Sequence, residues 1–316
     1  MPTLKQKGLS LLSLLLLLPG LSVAAPPGWA PLLEPQQLAS ILRANPEVRV
    51  LQVSGNYQSG HIPGSVASAY GDWRGDETNP GALPDLEHFT GLLQSLGISA
   101  QTPVTVVHEG ASATDMGTAT RVYWTLKSLG VVDIAVLNGG LNAWRMAGLP
   151  LSADATVLPA SNFQPQWQHQ WRVTTSEVEA TLQSGEMQLI DARPLSFYRG
   201  YRATIARPGT ISGAANLEYE SWFDEGTLKP ESQLQSIANQ FGQLEAPVTV
   251  SFCNTGHWAS INWFVMSEVA GIDNVKLYAE SVAEWSLQGL PLENQPSRGQ
   301  IYREQTVSWL RDLFGR

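Results

Sequence analysis

The sequence has 316 residues, 43% of them hydrophobic and 15% charged, with a formal net charge of −9. That acidic balance, with no Lys/Arg-rich cluster outside the N-terminal stretch, argues against nucleic acid or an anionic membrane as partner. The single cysteine excludes an internal disulfide framework, and the length exceeds one typical core, so two domains are expected.

Residues 1–24 hold Lys5 and Lys7, a leucine-rich stretch from Leu9 to Leu18, and Ser22-Val23-Ala24 ahead of Ala25. A basic start, a short apolar run and a small-residue end form the pattern of a signal peptide. The run is shorter than the roughly 20 residues of a membrane span. The expectation is cleavage after Ala24 and an exported, periplasmic protein. Losing the two lysines takes the net charge from −9 to −11. In an oxidising compartment an unpaired thiol is a liability unless it is buried or used.

Beyond the leader, the chain reads as two copies of one unit, residues 29–151 and 171–300. Pro103-Val-Thr-Val-Val107 is echoed by Pro247-Val-Thr-Val-Ser251, and Gly140-Leu-Asn-Ala-Trp144 by Ser281-Val-Ala-Glu-Trp285. Gly148-Leu-Pro-Leu151 recurs as Gly289-Leu-Pro-Leu292. The offset is too long for a solenoid period of roughly 20–50 residues, so it marks a duplicated domain. In the second copy an apolar run from Met187 to Ile190 ends at Asp191. It is followed by a helical stretch near 231–241, a strand over 248–252 and a helix over about 259–269. A strand near 275–278 and a short helix carrying Trp285 complete the copy. Such alternation predicts an α/β fold, each domain a mainly parallel sheet with helices on both faces.

Between the copies, residues 152–170 have a linker's composition, with Trp167 inside the stretch and Trp171 just after it to pin it to a domain. The tail, 301–316, carries Val307, Leu310, Leu313 and Phe314 at helical spacing and is expected to pack on its own domain, a partner-binding helix being the alternative.

Cys253 lies between a strand and a helix, where α/β sheets place their ligands. A loop there can turn successive N–H groups toward one point, and a helix start adds its dipole. Both favour a thiolate over a thiol. The competing reading is an inert, buried cysteine.

At these residues the sequence resembles the rhodanese-like sulfurtransferases in their tandem two-domain form. The marks are Asp191-Ala-Arg193, Arg199-Gly200, Pro208-Gly209 leading to Gly213-Ala-Ala-Asn216, the loop Cys253-Asn-Thr-Gly-His-Trp258, and Trp285 with Gly289-Leu-Pro291. In the first half they are Gly60-His-Ile-Pro-Gly64 and Asn138-Gly-Gly-Leu-Asn-Ala-Trp144. The resemblance implies that Cys253 takes a sulfane sulfur as a persulfide from a small anionic, thiosulfate-like donor. It then passes the sulfur to a thiol, cyanide or protein acceptor, with no cofactor and no metal. Asn254, Thr255, Gly256, His257 and Trp258 would supply the amide cradle, Gly256 taking positive φ. Arg193 and Arg199 would contact the donor anion, or else form structural salt bridges, and Asp191 would order the site. Only the second copy would react, because Glu109 stands where the first copy would need its cysteine. A separate His108/Glu109 pair is the alternative role for that copy.

The loop departs from the family pattern. Thiosulfate-preferring members carry Arg or Lys there and mercaptopyruvate-preferring members a Ser-Gly-Val pattern; this loop has neither. Its His257 would add charge, move a proton, point to solvent or cap the helix, and Trp258 would line the mouth of the pocket or pack behind the loop. A cysteine phosphatase is excluded because Ala259 stands where its arginine would be. The rival class is an exported sulfur carrier that binds sulfur without turnover.

Overall fold

The computed structural model describes residues 25–242 and 246–314; the expected signal peptide and its cleavage point fall outside the described residues. The first copy runs β1 (Leu32–Leu33), α1 (Pro35–Ala44), β2 (Arg49–Gln52), β3 (Val66–Ala67), α2 (Leu86–Ser95) and β4 (Val104–Val107). It continues through α3 (Met116–Ser128), β5 (Ile134–Leu137) and α4 (Gly140–Met146). Its sheet is parallel throughout, in the order β1-β5-β4-β2-β3. Every residue of β4 is buried, as a parallel strand covered on both faces must be.

The second copy opens with α5 (Thr175–Ser184), which starts at a capping box between Thr174 and Glu177. There follow β6 (Met187–Asp191), α6 (Leu195–Tyr198), β7 (Thr210–Ile211), β8 (Ala215–Asn216), β9 (Phe223–Asp224), β10 (Thr227–Leu228) and α7 (Glu231–Gly242). After these come β11 (Val248–Phe252), α8 (His257–Trp263), β12 (Val275–Leu277), α9 (Ser281–Leu287), β13 (Leu292–Glu293) and α10 (Arg298–Phe314). The main sheet is parallel, in the order β12-β11-β6-β8. Two short antiparallel pairs, β9 with β10 and β7 with β13, lie outside it. The register pairs Phe252 with Asp191, so Cys253 and the Asp191-Ala-Arg193 turn leave the sheet side by side. That adjacency places the site.

The helix expected from about 259 begins two residues earlier, because Gly256 adopts φ 70° and turns the chain into it. Its last part, Phe264–Val269, is wound as a π-helix. Between the copies, Trp167 packs edge-on against Phe89 at 5.6 Å, and Trp171 meets Trp263 at 6.1 Å. The tail departs from expectation. Its helix starts at Arg298, after Ser297 and Gln300 exchange cap hydrogen bonds, and leaves Trp309, Leu310, Leu313 and Phe314 exposed rather than packed on the domain.

The two copies share one core. All of α3 except Lys127 is buried, between its own sheet and α8 of the second copy. Trp124, Ala119 and Met116 join Ile261, Trp263 and Phe264 in a single apolar cluster. Thr120 and Ser260 hydroxyls meet across the interface at 2.7 Å, and Glu268 accepts from Tyr123 and Lys127 at 2.6 Å each. Because that core is continuous, the two domains should unfold in one transition. Trp124→Ala should lower stability by about 3–5 kcal/mol, the range for emptying a buried aromatic site. Urea melts followed by tryptophan fluorescence and far-UV circular dichroism should show one coincident transition at a lower midpoint; two separated transitions would contradict the shared core.

Candidate functional site

Cys253 is 1% exposed and sits at the floor of a cleft of about 430 Å³ between the two copies. Its own copy contributes Asn254, Thr255, His257, Trp258, Thr204 and Ile205; the first copy contributes Tyr70, Arg74, Thr114 and Thr118. Gly256 holds the loop closed. A Cβ there would lie 2.1 Å from the Arg121 guanidinium and 2.3 Å from the Ala279 carbonyl, at a φ side chains rarely adopt.

The cradle is narrower than the sequence suggests. Ser281 Oγ accepts the N–H of both Cys253 and Gly256 at 3.1 Å while donating to the Tyr278 carbonyl at 2.7 Å. Gly256 therefore points its amide at Ser281, away from the expected nest. Among the described residues the N–H groups of Asn254, Thr255, His257 and Trp258 have no protein acceptor, so four of the five expected cradle amides stay open. Ser281 was invisible as a site residue because its role depends on backbone at φ 54°.

Asp191 is held in a buried ion pair with Arg193. Its carboxylate accepts from the Arg193 backbone N–H, Nε and Nη2 and from Thr210 Oγ1, at 2.6 to 3.1 Å. Arg193 spends its remaining donors on Asn254 Oδ1 at 3.0 Å and the Gly209 carbonyl at 2.8 Å. With a guanidinium 1% exposed and all three of its nitrogens hydrogen-bonded, Arg193 supports the loop from behind and does not line the cleft. Arg199 is also off the cleft, exposed at the end of α6. The expected donor contacts of both arginines are thus corrected. The cation that does line the cleft is Arg74, half-buried above the Tyr70 ring at 5.0 Å. It donates Nη2 to the Thr255 carbonyl and Nε to the Pro80 carbonyl, both at 2.8 Å.

His257 is held on both sides by the first copy. Its Nε2 lies 2.8 Å from the Thr114 carbonyl and its Nδ1 2.8 Å from the Tyr70 hydroxyl. A carbonyl only accepts, so this network assigns the proton to Nε2 and makes Nδ1 the acceptor. Burial first, then the Arg74 charge, pushes the His257 pKa down to about 4. At neutral pH the ring is therefore uncharged, and it supplies neither a positive charge nor a mobile proton beside Cys253. Trp258 lines the cleft, stacks on Tyr219 at 5.0 Å and donates its indole N–H to Thr114 Oγ1. Behind the loop lies Arg121, fully buried, reaching the carbonyls of Gly81, Ala279 and Thr255 at 2.8 to 3.4 Å.

In the first copy the corresponding loop is closed on itself. Glu109 pairs with Arg145, while His108 is buried with Nδ1 3.4 Å from Asp115. The two side chains turn apart, so the alternative His108/Glu109 pair does not form.

Two predictions follow from these contacts. Arg193→Ala leaves the buried Asp191 carboxylate without its partner and should cost about 3–5 kcal/mol, read as a lowered urea midpoint. His257 sits below its ordinary 6.5, so from there to about 4 the unfolded chain binds a proton the native chain refuses. Stability should fall as pH drops through that window. Asp115, held near 2 against 3.8, adds a second loss below that, as pH falls toward 2. His257→Gln should flatten the upper limb of a plot of urea midpoint against pH; an unchanged slope would refute the buried neutral ring.

A model of the rhodanese-like domain matches residues 35–147 and again 174–288. A Synechococcus elongatus protein, provisionally named a thiosulfate sulfurtransferase, is 31% identical over 80% of this chain and 82% of its own length. The 3-mercaptopyruvate sulfurtransferase of Escherichia coli K12 is 30% identical, covering 81% of this chain and 92% of its own. The crystal structure of SseA from E. coli, a 3-mercaptopyruvate sulfotransferase by its description, superposes with a TM-score of 0.69 at 25% identity, over 80% of this chain and 98% of that one. With both copies matched and both site loops at the same strand ends, the chain belongs to the rhodanese-like family, carrying two of its domains in tandem.

Proposed function

We propose that this protein is a sulfurtransferase in which Cys253 carries the sulfur as a persulfide between an anionic donor and a thiophilic acceptor. The observation that carries this reading is the buried thiol at a strand end, facing a cleft whose lining holds one cation, Arg74. Relatives named as thiosulfate and 3-mercaptopyruvate sulfurtransferases support it.

The chemistry asks little beyond placement. The thiolate attacks the outer sulfur of the donor, a new S–S bond forms, and the donor's own S–S or C–S bond breaks. The bonding pair leaves with the donor fragment, sulfite in the case of thiosulfate. The acceptor then attacks the outer persulfide sulfur and the pair returns to Cys253 Sγ, so no external oxidant or reductant is needed. Asn254 and Thr255 amides would stabilise the persulfide charge, and Arg74 would draw the donor anion in by a charge-assisted contact. The leader pattern supports export to the periplasm as part of the same reading.

Incubation with thiosulfate should add one sulfur to the intact mass, and cyanide should then release thiocyanate. Cys253→Ser should abolish both signals, and their absence in the wild type would sink the proposal. An adduct that forms but never turns over would favour the carrier class instead. Arg74→Ala should raise the donor KM about tenfold, the loss of roughly 1.5 kcal/mol expected for one charge-assisted bond, with partial recovery in Arg74→Lys. An unchanged KM would remove Arg74 from donor binding.

A further inference from the structure

The first copy keeps the strand–loop–helix of a reactive site but fills its cradle with its own carboxylate. Asp115 Oδ2 accepts the N–H of Gly110 at 2.7 Å and of Ala111 at 3.3 Å, and Oδ1 accepts Ser54 Oγ at 2.8 Å. Ser54 Oγ in turn accepts the Glu109 N–H at 2.8 Å, and Thr118 Oγ1 donates to the Asp115 carbonyl at 2.7 Å. The carboxylate is half-buried and stays ionised: burial pushes its pKa up, but the neighbouring His108 ring and the bonds from Ser54 and Gly110 outweigh this and bring it to about 2. A closed loop of this kind has little freedom, and the residue immediately before Asp115 is Thr114.

Thr114 is one of the points where the first copy touches the Cys253 loop, beside Tyr70, Arg74 and Arg121. Its carbonyl takes the His257 Nε2 proton and its hydroxyl takes the Trp258 indole N–H. Both partners belong to the segment whose amides face Cys253. The start of α3 presses on the same ring: a Cβ on Gly117 would lie 2.6 Å from His257 Nε2 and 2.8 Å from two ring carbons. Gly117 lies in ordinary helical backbone, so the contact, rather than conformational need, is what keeps it small.

We propose that Asp115 is a positioning residue for sulfur transfer: by occupying the first copy's cradle it fixes Thr114, and through Thr114 it sets the His257–Trp258 side of the Cys253 pocket. The unreactive domain thus acts as a template for its twin. This rests on the sulfurtransferase reading for its kinetic consequence, but the positioning itself has a readout that does not.

The test compares the full-length wild type with Asp115→Ala, Asp115→Asn and Gly117→Ala. Hydrogen–deuterium exchange of the peptide spanning 253–258 should speed up severalfold in Asp115→Ala while segments remote from it keep wild-type exchange. Asn retains one acceptor oxygen and should fall between. Gly117→Ala introduces the better helix former, so a loss of activity there with retained melting temperature separates positioning from stability. In both Ala variants kcat/KM for thiosulfate should drop by about tenfold to a hundredfold, the scale of a displacement near 1 Å at a reacting centre. The proposal is overturned if exchange over 253–258 and kcat/KM in Asp115→Ala stay within about twofold of wild type. It is equally overturned if the loss merely follows global unfolding, with all segments exchanging faster together. If the wild type transfers no sulfur, the functional reading fails and the exchange comparison alone decides the role of Asp115.

Discussion

The Thr255 carbonyl is bound from the first domain by two arginines, Arg74 and Arg121, and the structure around Cys253 depends on that clamp. A loop that turns its N–H groups inward toward a sulfur necessarily turns carbonyls outward, and a buried carbonyl without a donor is costly. Here the donors are side chains of the other copy. The reactive loop is therefore complete only when the domains are docked, which ties the packing of α3 on α8 directly to the chemistry. Burying Arg121 has its own cost, visible in a guanidinium pKa brought down to about 10 by burial and by neighbouring Arg74. Three carbonyl acceptors and the face of Trp124 at 5.3 Å offset it.

What was legible in the sequence was local. The strand ending at Cys253, the turn with Gly256 and the helix after it form one contiguous signal, and the duplicated motifs place that signal at a sheet edge. Asp191 and Arg193 were likewise legible as a pair, but not which way the arginine faces. Residue type shows that a guanidinium can bind an oxyanion; only the fold shows that its donors are already taken by Asp191, Asn254 and Gly209. Tyr70, Arg74 and Thr114 were missed because they lie more than a hundred residues from the loop they complete, and nothing local to them suggests it. Arg121 did carry a hint. A charged residue inside an otherwise small and apolar helical run is a candidate buried charge with a distant partner.

His257 illustrates the same limit from the electrostatic side. As the loop's titratable residue other than the thiol, it invited a role in charge or proton transfer. Its environment decides otherwise, since a ring engaged at both nitrogens and set beside Arg74 is held neutral. The one cation lining the cleft thus comes from the domain that lacks the cysteine, so the thiol and the positive charge beside it are contributed by different copies.

The two copies differ least where they diverge most in chemistry. Gly140 and Ser281 occupy matching positions with nearly the same left-handed backbone, φ 61° and 54°. In the first copy a Cβ at Gly140 would lie 2.4 Å from the His108 carbonyl, so glycine is required and no hydroxyl is present to hold the loop. Its cradle amides at Gly110 and Ala111 turn instead to Asp115. In the second copy a serine accepts the strain of left-handed backbone, about 1–2 kcal/mol for a residue with a Cβ, and its Oγ makes three hydrogen bonds in return. A hydroxyl can satisfy the Cys253 and Gly256 amides without introducing charge, so the amides of Asn254, Thr255, His257 and Trp258 stay open. A carboxylate in the same role would have closed the site, as Asp115 closes the other. The change from glycine to serine at this position belongs with the change from glutamate to cysteine: one supplies the sulfur, and the other keeps the cradle around it neutral and unfilled.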